Sequence, residues 1–335
     1  MMPMNRRAFL AASAAACFAA PAAAQVFNFD AAAAYSAERR GVSLLVMRRG
    51  EVIFADYPNE GGATRGWELA SGTKSFTGVM CAAAIQDGLI SSWDEPAADT
   101  LTEWRSDERR RITIRHILSL TSGISGGPIA RPPAYTDAIA QELEAAPGDR
   151  FAYGPTPFQI FGEIIRRKTG GDPLDYLTRR VLAPLSIEPT HWRRGADGMP
   201  QMPSGAGLTA RDWARFGWFV LRGGEGRVDA AALRECFIGS RANPGYGLSF
   251  WLLRDGLVRP GRNAGIEIDS AMSERFGGIS MAAGAGNQRL YLVPALDLVI
   301  ARQASGIFQA LVRRQRGPQW SDAEFLRLAL GSLDQ

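Results

Sequence analysis

Trp67-Glu68-Leu69-Ala70-Ser71-Gly72-Thr73-Lys74-Ser75-Phe76 opens a stretch that runs on to Asp87-Gly88 and is apolar nearly all round. Phe76, Val79, Met80, Ala83 and Ala84 form one stripe, no charge occurs between residues 75 and 86, and Gly88 supplies a terminator. A helix without a polar face belongs inside a protein. The stretch Ser71 to Asp87 is therefore predicted as a helix through the middle of the core, stopped at Gly88. Ser71 and Lys74 stand at its start, three residues apart, which puts both side chains on one face. A serine hydroxyl is a poor nucleophile until a base takes its proton. Lysine is such a base only when burial or a neighbouring cation lowers its pKa from about 10.4, and arginine stays charged. Of 38 basic residues only Lys74 and Lys168 are lysines, so Lys74 at this place is a specific signal. A capping serine followed by a solvated lysine is the plainer alternative, and it fits poorly on a helix with no solvent face.

Upstream, Gly41 to Met47 and Glu51 to Ala55 are β-rich runs joined by Arg48-Arg49-Gly50, a hairpin signal. Downstream, from about 110 to 240, helices alternate with Pro- and Gly-rich loops: one over Pro157 to Lys168 with Thr156 as N-cap, another starting at Thr209 with Asp212 three residues on. The β signal returns in Gly278 to Ala283, Gln288 to Val293 and Leu296 to Arg302, the last two joined through Pro294-Ala295, and a final helix starts at Ser321 with Glu324 completing a capping box. Strands at both ends with helices between them imply an α+β fold. Its mixed or antiparallel sheet is built from 25–112 and 241–335, with an all-helical domain, 113–240, inserted. The active site is expected between the two parts.

The chain has 335 residues, 46% of them apolar, enough for a sizeable core. Asn5-Arg6-Arg7-Ala8-Phe9-Leu10, an Ala-rich run and Ala22-Ala23-Ala24 before Gln25 read as a twin-arginine export signal, residues 1–24, cleaved after Ala24 to leave a periplasmic protein. Its apolar run is too short to span a bilayer, as is every later stretch. Ala14, three residues before Cys17, is not the large aliphatic residue a lipid-attachment site carries. The formal charge of +4 falls to +2 once Arg6 and Arg7 leave with the signal, which is no nucleic-acid footprint. Cys81 and Cys236 remain. They could pair in an oxidising compartment, or Cys81 could be a small buried thiol in its apolar helix. With two histidines, His116 and His191, and no clustered cysteines, neither a metal nor a cofactor is expected.

Several stretches resemble the penicillin-recognising serine hydrolases related to class C β-lactamases. They are the Ser71 stretch with Asp87-Gly88, Ile114-Arg115-His116-Ile117-Leu118 with Thr121-Ser122-Gly123, Pro147-Gly148 with Tyr153, Thr209-Ala210-Arg211-Asp212 with Arg215-Phe216-Gly217, and Gly245-Tyr246-Gly247. Gly284-Ala285-Gly286-Asn287-Gln288, followed by Leu292-Val293-Pro294, is most similar to the esterase and 6-aminohexanoate-dimer hydrolase branch. The matches span about residues 65 to 305. The resemblance implies an α/β/α sandwich of the β-lactamase/transpeptidase type and makes Tyr153 the second catalytic partner, exchanging a proton with Ser71 and the leaving group while Lys74 tunes it. A neighbouring ammonium favours a phenolate, so Lys74 and Tyr153 are expected to titrate as a coupled pair. It also implies an oxyanion hole from the backbone N–H groups of Ser71 and Ala285, with Gly284 and Gly286 against the substrate.

Two departures matter. Relatives commonly carry Tyr-x-Asn where this chain has Tyr153-Gly154-Pro155, and often a Lys or His where Ala285 or Gly286 stands. Both favour a neutral ester or amide, cleaved through a Ser71 acyl-enzyme, over a D-alanyl-D-alanine carboxypeptidase or β-lactamase reading. A non-catalytic protein binding a cell-wall fragment is the alternative of a different class. Lys168-Thr169-Gly170 spells a β-lactamase motif but ends a helix rather than lying on a strand, and Gly123-Ile124-Ser125-Gly126-Gly127 follows a helix, where a nucleophile elbow follows a strand. A Ser-His-Asp triad would have to use His116 or His191, both read as structural.

Overall fold

A computed structural model describes residues 27–261, 266–267, 269–312 and 318–331; the export signal expected at 1–24 lies outside them. In chain order the elements begin with α1 (Phe29–Glu38), β1 (Gly41–Arg48), β2 (Glu51–Asp56) and β3 (Trp67–Glu68), then α2 (Ser75–Gln86), α3 (Ile114–Leu118), α4 (Tyr135–Ile139), α5 (Thr156–Thr169) and α6 (Pro173–Leu177). There follow β4 (His191–Trp192), β5 (Ala206–Leu208), α7 (Ala210–Leu221), α8 (Ala230–Glu235), β6 (Trp251–Leu252) and α9 (Ser270–Arg275). Last come β7 (Ser280–Gly284), β8 (Gln288–Val293), β9 (Leu298–Ala304), α10 (Ile307–Leu311) and α11 (Asp322–Leu330).

Six strands form one sheet in the order β2-β1-β9-β8-β7-β6, antiparallel at every pairing. The two ends of the chain meet where β1 pairs with β9, Leu45 opposite Ala301. Burial explains the residue patterns. β7, β8 and β9 are buried along their whole length, so their apolar runs are nearly continuous, whereas the edge strand β2 alternates between exposed and half-buried positions. One face carries α1 and α11, with Tyr291 of β8 stacked on Phe325 of α11 at 5.6 Å. The other carries α7, seated through Gly217 against Leu290, Leu292 and Val299. This is the α/β/α sandwich of the α+β class expected from the resemblance.

The segment 113–240 supplies α3 to α6 and α8, and more than helices: β5 pairs with β3 and with β4 in a small second sheet, while α7 lies on the large one. Caps fall where local chemistry puts them at Thr209, which accepts from Asp212 N, and Ser321, which accepts from Glu324 N. The cap expected at Thr156 does not form. Thr156 is already the first residue of α5, Pro155 precedes it in helical conformation, and Pro157 occupies the first turn. Cys81 and Cys236 are both buried and free, which matches the small buried thiol read for Cys81 and not a disulfide between the two.

Gly217 is the contact that lets α7 approach the sheet, since a Cβ there would come 2.7 Å from Val299 Cγ1. Overpacking of a filled core costs about 1–3 kcal/mol. Gly217→Val is expected to lower stability by about that amount in urea denaturation, without touching the Ser71 turn.

Candidate active site

The chain enters the site from β3. Leu69 N donates to Ala206 O at 2.9 Å, and Ala70 follows with φ of +47°, a left-handed conformation that costs a non-glycine residue about 1–2 kcal/mol. Strain of this kind concentrates at functional sites. Ala70 to Lys74 then form a 3-10 turn, and the α-helix begins only at Ser75. The helix expected from Ser71 is thus split in two. Tertiary contact explains the tighter first turn: Gly72 lies against Trp213, where a Cβ would come 2.8 Å from Cζ2, and Thr73 Oγ1 accepts from Ala206 N at 3.2 Å. Ser71 is the one residue from 69 to 80 that keeps partial exposure.

Lys74 Nζ lies 3.0 Å from Ser71 Oγ and donates to Pro203 O at 3.2 Å. The rings of Tyr153 and Phe158 flank it, with centroids 5.1 and 5.3 Å away. The side chain is 4% exposed, and burial brings its pKa down to about 7. Tyr153 is hydrogen-bonded to Ser71, and burial pushes its phenol up to about 12, against the opposing effects of that bond and of the Arg289 charge. Burial is the first cause of both shifts and opposes charge on either group, which favours a protonated phenol and a partly neutral amine at pH 7.

Tyr153 is carried on a loop stitched to its neighbours. Gly148 N donates to Thr121 O at 2.7 Å, Ala152 N to Leu120 O at 2.8 Å and Thr156 N to Gly126 O at 3.0 Å. Gly126, read above as part of a false nucleophile elbow, packs its backbone against Tyr153 and Gly154, where a Cβ on Gly154 would come 1.9 Å from Gly126 O. Phe151, Tyr246 and Trp251 surround the phenol, Trp251 and Tyr246 with ring centroids 5.4 and 6.4 Å from it.

The third motif closes the other side. β6 pairs with β7 only at Met281 and Ser280, and the rest of the β7 edge is met by the Ser71 turn. A Cβ on Gly284 would stand 2.1 Å from Leu69 O and 3.0 Å from Gly72 N, so only glycine lets strand and turn come this close. Ala285, Gly286 and Asn287 form the hairpin turn into β8. Gly286 has φ of +74° and packs against the chain after β9, its Cβ position 2.5 Å from Ile307 N. The structure thus brings Ser71, Lys74, Tyr153 and Gly284 to one place. Tyr246 joins them from the Gly245-Tyr246-Gly247 stretch, and Pro203, Phe158, Trp213 and Trp251 do so without a local sequence signal.

The rejected motifs stay apart. Lys168 ends α5, is paired with Glu95 at 2.6 Å, and is followed by Gly170 in the left-handed conformation. His116 closes a capping box with Thr113, and His191 lies over Gly207, where a Cβ would come 2.1 Å from its Cε1. Among the described residues no cluster of His, Cys, Asp or Glu is arranged to hold a metal, and no helix is long and apolar enough to cross a membrane.

Known proteins share both sequence and fold with this chain. A 176-residue stretch is 26% identical to Protein flp of Staphylococcus aureus (strain N315), covering 46% of this chain and 35% of that protein. A 150-residue stretch is 27% identical to a lovastatin esterase of Penicillium rubens, covering 36% and 37%. The chain thus spans about a third of the length of these curated relatives. Among solved structures, a protein described as a beta-lactamase from Bacteroides dorei DSM 17855 superposes with a TM-score of 0.71 at 17% identity, over 92% of this chain and 100% of that one. EstCE1, a hydrolase with promiscuous acyltransferase activity, gives 0.63 at 17% identity over 85% and 97%. The profile of the beta-lactamase family matches residues 26–304, more than half of the chain, and together with the sandwich and the Ser71 turn at its sheet edge this places the chain in the beta-lactamase family.

Proposed function

We propose that the chain is an acyl-transfer hydrolase, acting on a neutral ester or amide after export to the periplasm. The observation that carries the reading is a serine hydroxyl 3.0 Å from a lysine amine that burial has brought to about 7. In this scheme the lone pair of the neutral Lys74 amine takes the proton of Ser71 as its Oγ attacks the carbonyl carbon, and the amine hydrogens stay on Pro203 O. The negative charge on the former carbonyl oxygen is held by the N–H groups of Ser71 and Ala285. When the tetrahedral intermediate collapses, Tyr153 gives its proton to the departing alcohol or amine and regains one from the Lys74 ammonium. Water then attacks the acyl-enzyme by the same route and releases the acid. A lovastatin esterase among the relatives supports an ester, as do Pro155 and Ala285 in the places where a substrate amide and a cation are common.

The test is a panel. The native protein and Ser71→Ala are assayed on nitrophenyl esters, a chromogenic cephalosporin and a D-Ala-D-Ala peptide, with mass spectrometry of the Ser71 peptide. Ester turnover with an adduct on Ser71, lost in Ser71→Ala, is the expected outcome. Full activity in Ser71→Ala sinks the reading, preferential turnover of the cephalosporin or peptide makes those the substrate class, and a stable adduct without turnover makes it a binding protein.

Lys74 gives two signed expectations. As a base it must be unprotonated, so kcat/KM should rise as pH increases through about 7 and then level off. Its folded pKa lies below the unfolded value of about 10.4, so between the two the unfolded chain binds more protons and folding stability gains as pH rises. Lys74→Met should therefore be more stable than the native protein below about pH 7, by a margin that closes towards pH 10, while losing about 100-fold or more in kcat. Thermal melts of both proteins across that range, with ester kinetics, measure it.

A further inference from the structure

Arg289 lies opposite Ala283 on β8, and its guanidinium is 1% exposed. Nε donates to Asp322 Oδ1 at 2.8 Å and Nη2 to Oδ2 at 3.4 Å, while Asp322, fully buried at the first position of α11, also accepts from Trp320 Nε1 at 2.8 Å and from the Tyr291 hydroxyl. Nη1 is turned to the backbone of the hairpin and donates to Gly284 O at 3.3 Å and Gln288 O at 3.1 Å.

We infer that Arg289, held by Asp322, is a positioning residue for the oxyanion hole. The inference rests on the reading above, in which Ala285 N–H is one of the two donors. Gly284 O and Ala285 N–H belong to the same peptide unit. That unit is planar and trans, so its carbonyl and its N–H point in opposite directions. A donor that fixes the carbonyl therefore aims the N–H. Arg289 grips the oxygen, and the N–H is left to face the Ser71 turn that Gly284 touches. The grip is charge-assisted, and a cation drawing on the carbonyl polarises the peptide and makes its N–H a stronger donor.

The position of the pair supports a role beyond filling space. A buried ion pair contributes little to stability compared with apolar residues of the same volume, and the neighbouring Tyr291–Phe325 stack shows that this layer accommodates such residues. Leucine or methionine at 289 would fill the volume but remove the charged donor to Gly284 O. The rigid guanidinium fork reaches carboxylate and carbonyl together, and the single ammonium of a lysine does not.

The test compares the native protein with Arg289→Lys and with the double variant Arg289→Met/Asp322→Asn, which removes both charges and keeps an acceptor for Tyr291 and Trp320. Each is assayed below its melting temperature for kcat and KM on a nitrophenyl ester, for the rate of Ser71 adduct formation, and for inhibition by an alkylboronic acid, whose tetrahedral adduct places an oxygen in the hole. Removal of a whole oxyanion donor costs about 100- to 1,000-fold in kcat. Misaiming one should cost about 10- to 100-fold, with KM nearly unchanged, boronate affinity reduced in proportion, and the adduct still on Ser71 but formed slowly. A folded variant with native kcat and boronate affinity overturns the inference, whatever its melting temperature. Should Arg289→Lys fail to fold, the double variant decides, because it removes both charges of the Arg289–Asp322 pair together. Absence of a Ser71 adduct in the native protein overturns the reading of the site instead.

Discussion

A lysine amine buried beside a serine hydroxyl, its pKa lowered by desolvation, is the condition from which the rest of the site follows. The chain's other lysine shows what the alternative looks like. Lys168 is paired with Glu95 at 2.6 Å, its amine held by a carboxylate. Lys74 is enclosed instead by two aromatic rings, a carbonyl oxygen and the apolar length of α2. Rings and carbonyl stabilise an ammonium less than water does, and the pKa falls. The lack of a polar face on α2 is therefore part of the chemistry as well as of the packing.

Burying that amine requires a wall on the side of the serine, and the sheet edge provides it. β6 is two residues long, so β7 runs past it with an edge unpaired by any strand. The Ser71 turn docks there, and the docking imposes the local sequence: glycine at 284 because Leu69 O comes too close for a Cβ, glycine at 72 because Trp213 does, and a left-handed backbone at Ala70 to change the direction of the chain from β3 into the turn. An exposed sheet edge is a template for unwanted pairing. Here it is covered by the turn that carries Ser71, so the same backbone contact protects the edge and aligns Ser71 with the strand.

What could be read from the chain was what neighbours in sequence decide. The β1–β2 hairpin, the caps at Thr209 and Ser321 and the Ser71–Lys74 spacing rest on contacts within a few residues, and each is found in the structure. The α/β/α layering followed from strands at both ends of the chain together with the family resemblance. The first turn of the central helix was misread because Trp213 and Ala206, more than 130 residues away in the chain, tighten it into a 3-10 turn. The Thr156 cap failed because Pro155 adopts helical angles one residue sooner than capping chemistry alone implies. The direction of the Tyr153 shift was hidden for a related reason. A phenol beside a lysine is pulled down if the lysine is charged and pushed up if both are dry, and burial is a property of the assembled site.

The same distinction bears on what the site can hold. Among the described residues two cations reach it, and both are engaged: Lys74 by Ser71 and Pro203, Arg289 by Asp322 and the Gly284–Gln288 hairpin. Neither can turn to a substrate carboxylate without giving up the contact that defines its place, and Ala285 offers only backbone. Phe151, Tyr246 and Trp251 around Tyr153 supply apolar surface, Tyr246 and Trp251 packed edge to face at 4.7 Å. A charged group placed among them would lose hydration without a partner, at a cost of several kcal/mol. A neutral acyl group would gain about 25 cal/mol for each Å² of apolar surface removed from water. The difference in free energy between those two substrates is set by the same desolvation that lowers the Lys74 pKa, so the proposed preference for an uncharged ester and the proposed activation of Ser71 share one physical cause.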